Sequence, residues 1–276
     1  MPELPEVETT VRALRAPLVG RTVTGMRNDW QKHLATPALP EFRQRIAGKE
    51  IRSIGRRGKY LVFHLSEPET LLIHLKMTGH LAVVPADEPA SKHIHTIFEL
   101  DNGAELRFRD ERKFGRVYLL QDPQEVLGRL GPEPLSDAFT PEVLHQMLQG
   151  RKRILKPLLL DQTFVAGIGN IYADEALYYA KIRPTRISNT LSDAESSALH
   201  AGIQKALNLG INNEGASIDN YRKPDGSRGE MQNILVAYGR AGEPCRRCGS
   251  IMERIVLGSR STYFCPNCQF SIPGLR

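Results

Sequence analysis

Residues 1–18 read MPELPEVETTVRALRAPL. Leu4, Val7, Val11, Leu14 and Leu18 recur at spacings of three, four, three and four, which is one apolar stripe of an amphipathic helix. Pro5 is tolerated in the first turn of such a helix, and acids are favoured near its positive end. Glu3, Glu6 and Glu8 occupy that end. A stripe of this kind must lie on a core, so the chain terminus in front of it is expected to be held rather than frayed.

What precedes the helix is a possible nucleophile. A small residue at position 2 normally allows removal of the initiator methionine, so Pro2 is expected to become the first residue of the mature chain. Its ring nitrogen would then be a free secondary amine, able to attack an electrophilic carbon and form an iminium link without lysine. With the usual α-amino pKa of about 7.7–8, on the order of a third would be neutral near pH 7.5. Taken alone, Pro2 reads equally as a residue suited to precede a helix. Glu3 and Glu6, three apart, can share one side near the terminal nitrogen, where a carboxyl group could shuttle a proton. Glu8 reads as well as a dipole-favoured surface acid.

After the helix, short apolar runs alternate with turns: Tyr60–Leu65, Leu71–Leu75, Thr96–Leu100 and Ala104–Arg109. The last two are joined by Asp101-Asn102-Gly103, a strong hairpin signal. Many short strands with one N-terminal helix predict a β-sandwich. Gly131-Pro132-Glu133-Pro134 reads as a linker, and the pattern beyond it is helical. Thr140-Pro141 opens one helix, Arg153–Leu160 forms another, and Ser192-x-x-Glu195 is a capping box for a third. Between them lies DQTFVAGIGN at 161–170, whose glycines permit two consecutive tight turns before a helix at Ile171–Ile182. Asn170 stands at the start of that helix, where free N–H groups can meet a phosphate. The predicted class is α+β with two domains. An N-terminal β-sandwich spans 1–135, a linker and first helix 136–150, a helix–two-turn–helix unit 151–238 and a cysteine ribbon 239–276.

The ribbon follows from Cys245-x2-Cys248 and, sixteen residues later, Cys265-x2-Cys268. All four cysteines of the chain are used, in the spacing of a four-thiolate zinc site. Two disulfides are the alternative, but no signal peptide is read ahead of the mature chain, and a cytosolic protein keeps thiols reduced. A closed four-sulfur shell leaves no open position, so one structural zinc is expected and no catalytic metal. The segment between the pairs reads as a β-hairpin flanked by Arg240, Arg246, Arg247, Arg254, Arg260 and Arg276. A rigid basic hairpin suits nucleic acid, although ribbons also serve as scaffolds.

The charge balance agrees. The 276 residues hold 37 Lys+Arg against 31 Asp+Glu, a net charge of +6, so clustering says more than the total. Arg52, Arg56, Arg57 and Lys59 form one basic group, Arg107, Arg109, Arg112, Lys113 and Arg116 a second, and Arg151, Lys152, Arg153 and Lys156 a third. There is no run of eighteen apolar residues, so no membrane span is expected.

The chain resembles the bacterial formamidopyrimidine-DNA glycosylases. The matching pieces are PELPEVET at 2–9, RRGKYL at 56–61, HLKMTG at 74–79, RKFG at 112–115, LGPEPL at 130–135, GIGNIYADE at 167–175 and YGRAGEPC at 238–245 with the cysteine ribbon behind it. They span the chain in the family's order. PELPE rather than PEGPE separates this branch from the endonuclease VIII-like one. The resemblance implies base-excision repair on double-stranded DNA by a cytoplasmic, nucleoid-associated monomer. It implies removal of 8-oxoguanine and formamidopyrimidines through a Schiff base on Pro2, then β- and δ-elimination. Glu3 would protonate the sugar ring oxygen, with Glu6 beside it. Lys59 would contact the lesion and an adjoining phosphate, and Arg260 would clamp phosphates at the δ-elimination step. Met77, Arg112 and Phe114 match three residues that fill the hole left by the extruded base, and Lys152, Asn170 and His93 match further DNA contacts. His95, two residues on, is easily confused with His93; His33, His145 and His200 carry no motif and read as structural or surface residues. The match is loosest over 215–235, the expected lesion-capping loop. Ala216 stands where a second glycine is common, Met231 where an aromatic is usual, and Ala237 where valine is common. The tail Gln269–Arg276 is longer than in many relatives. A catalytically silent damage binder would need only the wedge, the basic groups and the ribbon, and an enzyme acting on oxidised pyrimidines would differ in lesion range.

Overall fold

The computed structural model describes residues 1–269; the tail 270–276, with Arg276, lies outside the described residues. Contacts divide the chain into two units, Met1–Arg129 with Asn213–Glu230, and Leu130–Asn212 with Met231–Arg276.

The first unit begins with α1 (Leu4–Leu18), whose stripe residues Leu4, Val7, Val11, Leu14 and Leu18 are all fully buried. It continues through β1 (Thr22–Asn28), β2 (Leu34–Thr36), α2 (Leu39–Ile46), β3 (Lys49–Arg57), β4 (Tyr60–Leu65), β5 (Thr70–His74), β6 (Gly79–Pro85), β7 (Ile94–Leu100), β8 (Ala104–Asp110), β9 (Arg116–Leu120) and the single turn α3 (Gln124–Leu127). The nine strands run in the order β2-β9-β5-β4-β3-β1-β7-β8-β6. Only Thr22 and Val23 of β1 pair with β3, so this short join links a five-strand half to a four-strand half. Both halves and α1 contribute to one core, through Phe63, Ile73 and Leu119 on one side and Phe98, Leu106 and Phe108 on the other. This is the sandwich expected, built from more strands than the apolar runs revealed. β1, β3, β6 and β9 escaped that reading because charged or half-exposed positions interrupt their alternation. The β7–β8 hairpin forms at Asp101-Asn102-Gly103, with Gly103 at φ +77°.

The segment 213–230, placed by the sequence within 151–238, packs on the first unit. Its reason is a set of backbone groups satisfied there: Ala216 N–H donates to Glu6 Oε1 at 2.8 Å, Tyr221 Oη donates to the Glu6 carbonyl at 3.3 Å, and His80 Nε2 meets the Lys223 carbonyl at 2.8 Å.

The second unit holds α4 (Pro141–Gln149), α5 (Leu155–Leu159), α6 (Asn170–Ala180) and α7 (Asp193–Asn212), then the hairpin β10 (Glu253–Leu257) and β11 (Arg260–Phe264). The capping box forms ahead of α7: Ser192 N–H donates to Glu195 Oε2 at 2.9 Å, and Glu195 N–H to Ser192 Oγ at 3.3 Å. The two turns between α5 and α6 wind around Gln162, which donates to the carbonyls of Leu160 and Ile168 and accepts from Gly167 N–H. Leu130–Pro134 is docked here rather than running as a free linker. Gly131 N–H donates to the Gln162 carbonyl, and a Cβ at Gly131 would lie 2.4 Å from the Phe164 carbonyl oxygen. That approach admits only glycine.

Candidate functional site

In the first unit, Pro2, Glu3 and Glu6 are all buried at the mouth of α1. Glu3 is the N-cap, and a reciprocal capping box holds it: Glu6 Oε2 accepts from Glu3 N–H at 2.8 Å, while the Glu3 side chain accepts from Glu6 N–H. The other Glu6 oxygen takes Ala216 N–H, so this carboxylate joins the terminus to the 213–230 segment. The residue ahead of the helix is thereby fixed, as the stripe required. Glu8, one turn on, is paired with Arg12 at 2.8 Å and with Arg56 at 3.4 Å. The Arg56 contact ties β3, whose end leads into the Gly58–Lys59 turn, to α1. Lys59 is 4% exposed, an unusual setting for a lysine in a basic run. Nearby, burial and the charges of Lys76 and Lys59 push His74 down to about 3, so its ring stays neutral and accepts Lys76 N–H at 2.9 Å.

Met77 and Phe114 are large apolar side chains left 42% and 46% exposed. Met77 sits on the β5–β6 turn and Phe114 on the β8–β9 turn, with Arg112 stacked over the Phe114 ring at 4.9 Å. Two exposed apolar side chains on neighbouring turns, one carrying a guanidinium, form a surface that an unstacked base step can accept. His93 is half-exposed beside them, its carbonyl accepting Asp110 N–H at 2.8 Å. His95 is instead buried, bonded to Asp29 at 2.8 Å and edge-on to His33.

The basic groups prove to be mixed. Arg107 is buried and bonded to Glu105 and the Glu88 carbonyl, and Arg116 donates to the Phe114 and Gly115 carbonyls. Lys156 is fully buried, 2.8 Å from both Asp174 Oδ1 and the Ser261 carbonyl. These side chains build the fold, and sequence clustering alone could not separate them from exposed neighbours such as Arg112 and Lys152.

In the second unit, Lys152 lies on an exposed segment clasped by Ser188, whose Oγ donates to the Arg151 carbonyl and accepts Arg153 N–H. Asn170 is the first residue of α6, and its Oδ1 has no hydrogen-bond partner. Arg260 opens β11 after a two-residue turn in which Gly258 and Ser259 both have positive φ, the twist that tight hairpins need. The Ser261 carbonyl and Tyr263 N–H, next along the strand, are held by Lys156 and Asp174.

The four cysteine sulfurs lie within 4.8 Å of one another. Cys248 and Cys265 Sγ are 3.5 Å apart, too far for a disulfide and close to the edge of about 3.8 Å set by a tetrahedron with 2.3 Å Zn–S bonds. Arg247 N–H points at Cys245 Sγ and Cys268 N–H at Cys265 Sγ, as suits thiolate ligands. The set fits one structural zinc. Among the described residues no other group of histidine, cysteine and carboxylate ligands gathers in this way, and no helix is long and apolar enough to cross a membrane.

Comparison with known proteins gives the same three parts. Residues 1–117 match the model of the formamidopyrimidine-DNA glycosylase N-terminal domain, 130–222 that of its H2TH domain, and 242–269 the zinc finger found in FPG and IleRS. The chain is 50% identical over 273 residues to the formamidopyrimidine-DNA glycosylase of Herpetosiphon aurantiacus, covering 98% of this chain and 100% of that one. It is 48% identical to the enzyme of the same name from Chloroflexus aurantiacus, covering 99% of each. Among solved structures, the Lactococcus lactis Fpg bound to DNA with an abasic site superposes with a TM-score of 0.90 at 37% identity, covering 98% of this chain and 100% of that one. MutM in complex with DNA containing carbocyclic 8-oxo-G gives the same score, identity and coverage.

Proposed function

The chain belongs to the formamidopyrimidine-DNA glycosylase family, and on that premise we propose how its own residues carry out base excision. The protein is a bifunctional DNA glycosylase and abasic-site lyase that removes oxidised purines from double-stranded DNA. Its chemistry needs an amine at the chain terminus, and the buried, doubly capped start of α1 is the observation that carries the assignment.

The Pro2 nitrogen, freed by loss of Met1, attacks C1′ of the extruded nucleotide, and the C1′–base bond breaks with its electron pair leaving on the base. Glu3 delivers a proton to the ring oxygen, the ring opens, and C1′ and the proline nitrogen share an iminium. The cation acidifies the C2′ proton; its removal expels the 3′ phosphate, and a second elimination expels the 5′ phosphate. Glu6 acts as a positioning residue, because both its oxygens hold backbone N–H groups. Lys59 supplies a cation at the lesion, and Arg260 neutralises phosphate at the second elimination, a guanidinium being a poor proton donor. Met77, Arg112 and Phe114 fill the vacated stack, with Arg112 free to bond the orphaned cytosine. His93, Lys152 and Asn170 grip the backbone, and the zinc, held by Cys245, Cys248, Cys265 and Cys268, keeps the ribbon folded. In this reading 1–135 carries catalysis, 151–238 the DNA grip and 239–276 the finger. The enzyme works as a monomer in the cytoplasm, on the DNA of the nucleoid.

Borohydride trapping on duplex DNA with one 8-oxoguanine opposite cytosine tests the mechanism. Mass mapping is expected to place the adduct on residue 2, and Pro2→Gly should lose excision far more than DNA affinity. An adduct on a lysine, or unchanged excision by Pro2→Gly, would refute it.

A further inference from the structure

Met77 and Phe114 stand on separate turns, yet a wedge must present them to one base step as a unit. We propose that Asp110 is the positioning residue that sets these turns against each other, acting through Thr78. This rests on the reading of Met77, Arg112 and Phe114 as the DNA wedge.

Asp110 is fully buried at the end of β8. One carboxylate oxygen accepts the Thr78 hydroxyl at 2.5 Å; the other accepts Gly115 N–H at 2.7 Å and meets His33 Nε2 at 3.3 Å. Thr78 follows Met77, and Gly115 follows Phe114. The Thr78 oxygen in turn accepts Arg112 N–H at 3.1 Å, so one hydroxyl spans both turns. The backbone of Asp110 adds two contacts, donating to the His93 carbonyl and accepting Lys113 N–H at 3.3 Å. Each first-unit residue assigned to the DNA outside the terminus and Lys59 is thus within one or two bonds of this single side chain.

Three further observations show that the turns are forced into place rather than relaxed there. Lys76, before Met77, has φ +54°, and Lys113, between Arg112 and Phe114, has φ +60°. Neither is glycine, so each left-handed residue is held by its surroundings. Added Cβ atoms at Gly79 and Gly115 would each come within 2.7 Å of the same ring, Phe108, which the His33 ring backs at 4.8 Å. Burial pushes the Asp110 carboxyl up, but the hydrogen bonds from His33, Thr78 and Gly115 outweigh it and hold the group at about 2, so it is a charged acceptor at neutral pH.

The test compares Thr78→Val, Thr78→Ser, Asp110→Asn and Phe114→Ala, all first shown to melt like the parent protein or close to it. Three readouts are taken: single-turnover base release from 8-oxoguanine opposite cytosine, fluorescence of 2-aminopurine placed beside the lesion, and cleavage at a preformed abasic site in single-stranded DNA, where no base must leave a stack. Thr78→Val and Asp110→Asn should lose base release on the order of 10- to 100-fold, the scale of a misplacement of about 1 Å, together with the 2-aminopurine rise, and keep single-strand cleavage. Thr78→Ser, which retains the hydroxyl, should keep all three. Loss of single-strand cleavage in equal proportion, or failure of Thr78→Ser to retain base release, would show a merely structural role and overturn the proposal. Unchanged base release in Thr78→Val beside a defective Phe114→Ala would also overturn it while leaving the wedge standing. An unimpaired Phe114→Ala would remove the wedge reading itself.

Discussion

Glu175 allows the difference between a charge and an acceptor to be measured. It is fully buried, and its carboxylate collects three consecutive backbone N–H groups: Val236 at 3.1 Å, Ala237 at 2.8 Å and Tyr238 at 3.0 Å. Burial pushes its pKa up, and these N–H groups recover only part of the shift. The negative charge is therefore a net cost there, and what Glu175 contributes is acceptor geometry. Glu175→Gln keeps the oxygen that serves Ala237 and Tyr238, while Val236, which also reaches that oxygen at 3.2 Å, faces the new NH₂; the cost should stay below about 1 kcal/mol. Glu175→Leu strips the acceptor from all three. Ala237 is fully buried, whereas Val236 and Tyr238 are half-buried and can turn to water, so the loss should be about 2–4 kcal/mol. If these amides exchange by local opening, that loss speeds exchange about 30- to 1000-fold. Hydrogen exchange at residues 236–238, beside denaturant melts at saturating zinc, reads both variants. The pH dependence has a definite sign. An unfolded Glu175 releases its proton near 4.5 and the folded one at higher pH, so the folded state binds more protons in that window. Parent stability should decline there as pH rises, and Glu175→Gln should remove that part of the slope. Equal damage from Gln and Leu would refute the reasoning, because it would mean that charge, not acceptor geometry, holds the segment.

Two further outcomes follow from the same structure. Cys265→Ser should lower zinc content, ribbon amide protection and DNA affinity together, since the small β10–β11 hairpin relies on the metal cross-link; zinc analysis showing full occupancy with intact binding would contradict this. Gly215→Ala should destabilise by about 1–3 kcal/mol, because φ is +84° and the new Cβ would lie 2.9 Å from Glu6 Cγ and Tyr221 Cε1; unchanged melting and an unchanged Ala216 amide exchange rate would count against that packing.

The chain shows its plan most clearly where the physics is local. The α1 stripe repeats every three or four residues and is buried in full. The cysteine spacing fixes a four-sulfur site because each C-x2-C turn brings two thiols together by itself. Asn102-Gly103 sets a hairpin through the conformations those residues tolerate. Even Glu3 and Glu6 can be placed from sequence alone, since a capping box spans only three residues.

Other roles arise from partners far along the chain. Glu6 was expected beside the catalytic amine, but the partner of its second oxygen, Ala216, is 210 residues away. Arg107, Arg116 and Lys156 looked like members of basic patches until the fold supplied Glu105, the turn carbonyls and Asp174. Asp110 and His33 carried no motif that marked them, because a buried carboxylate is recognised by what surrounds it. The sequence by itself determined the helix, the metal site, the family and the residues that match its motifs, since periodicity, spacing and identity are properties of short stretches. Only the tertiary structure decided which charges turn inward, where 213–230 packs and what holds Met77 and Phe114 in place, because burial and hydrogen-bond satisfaction depend on groups that the chain brings together only when it folds.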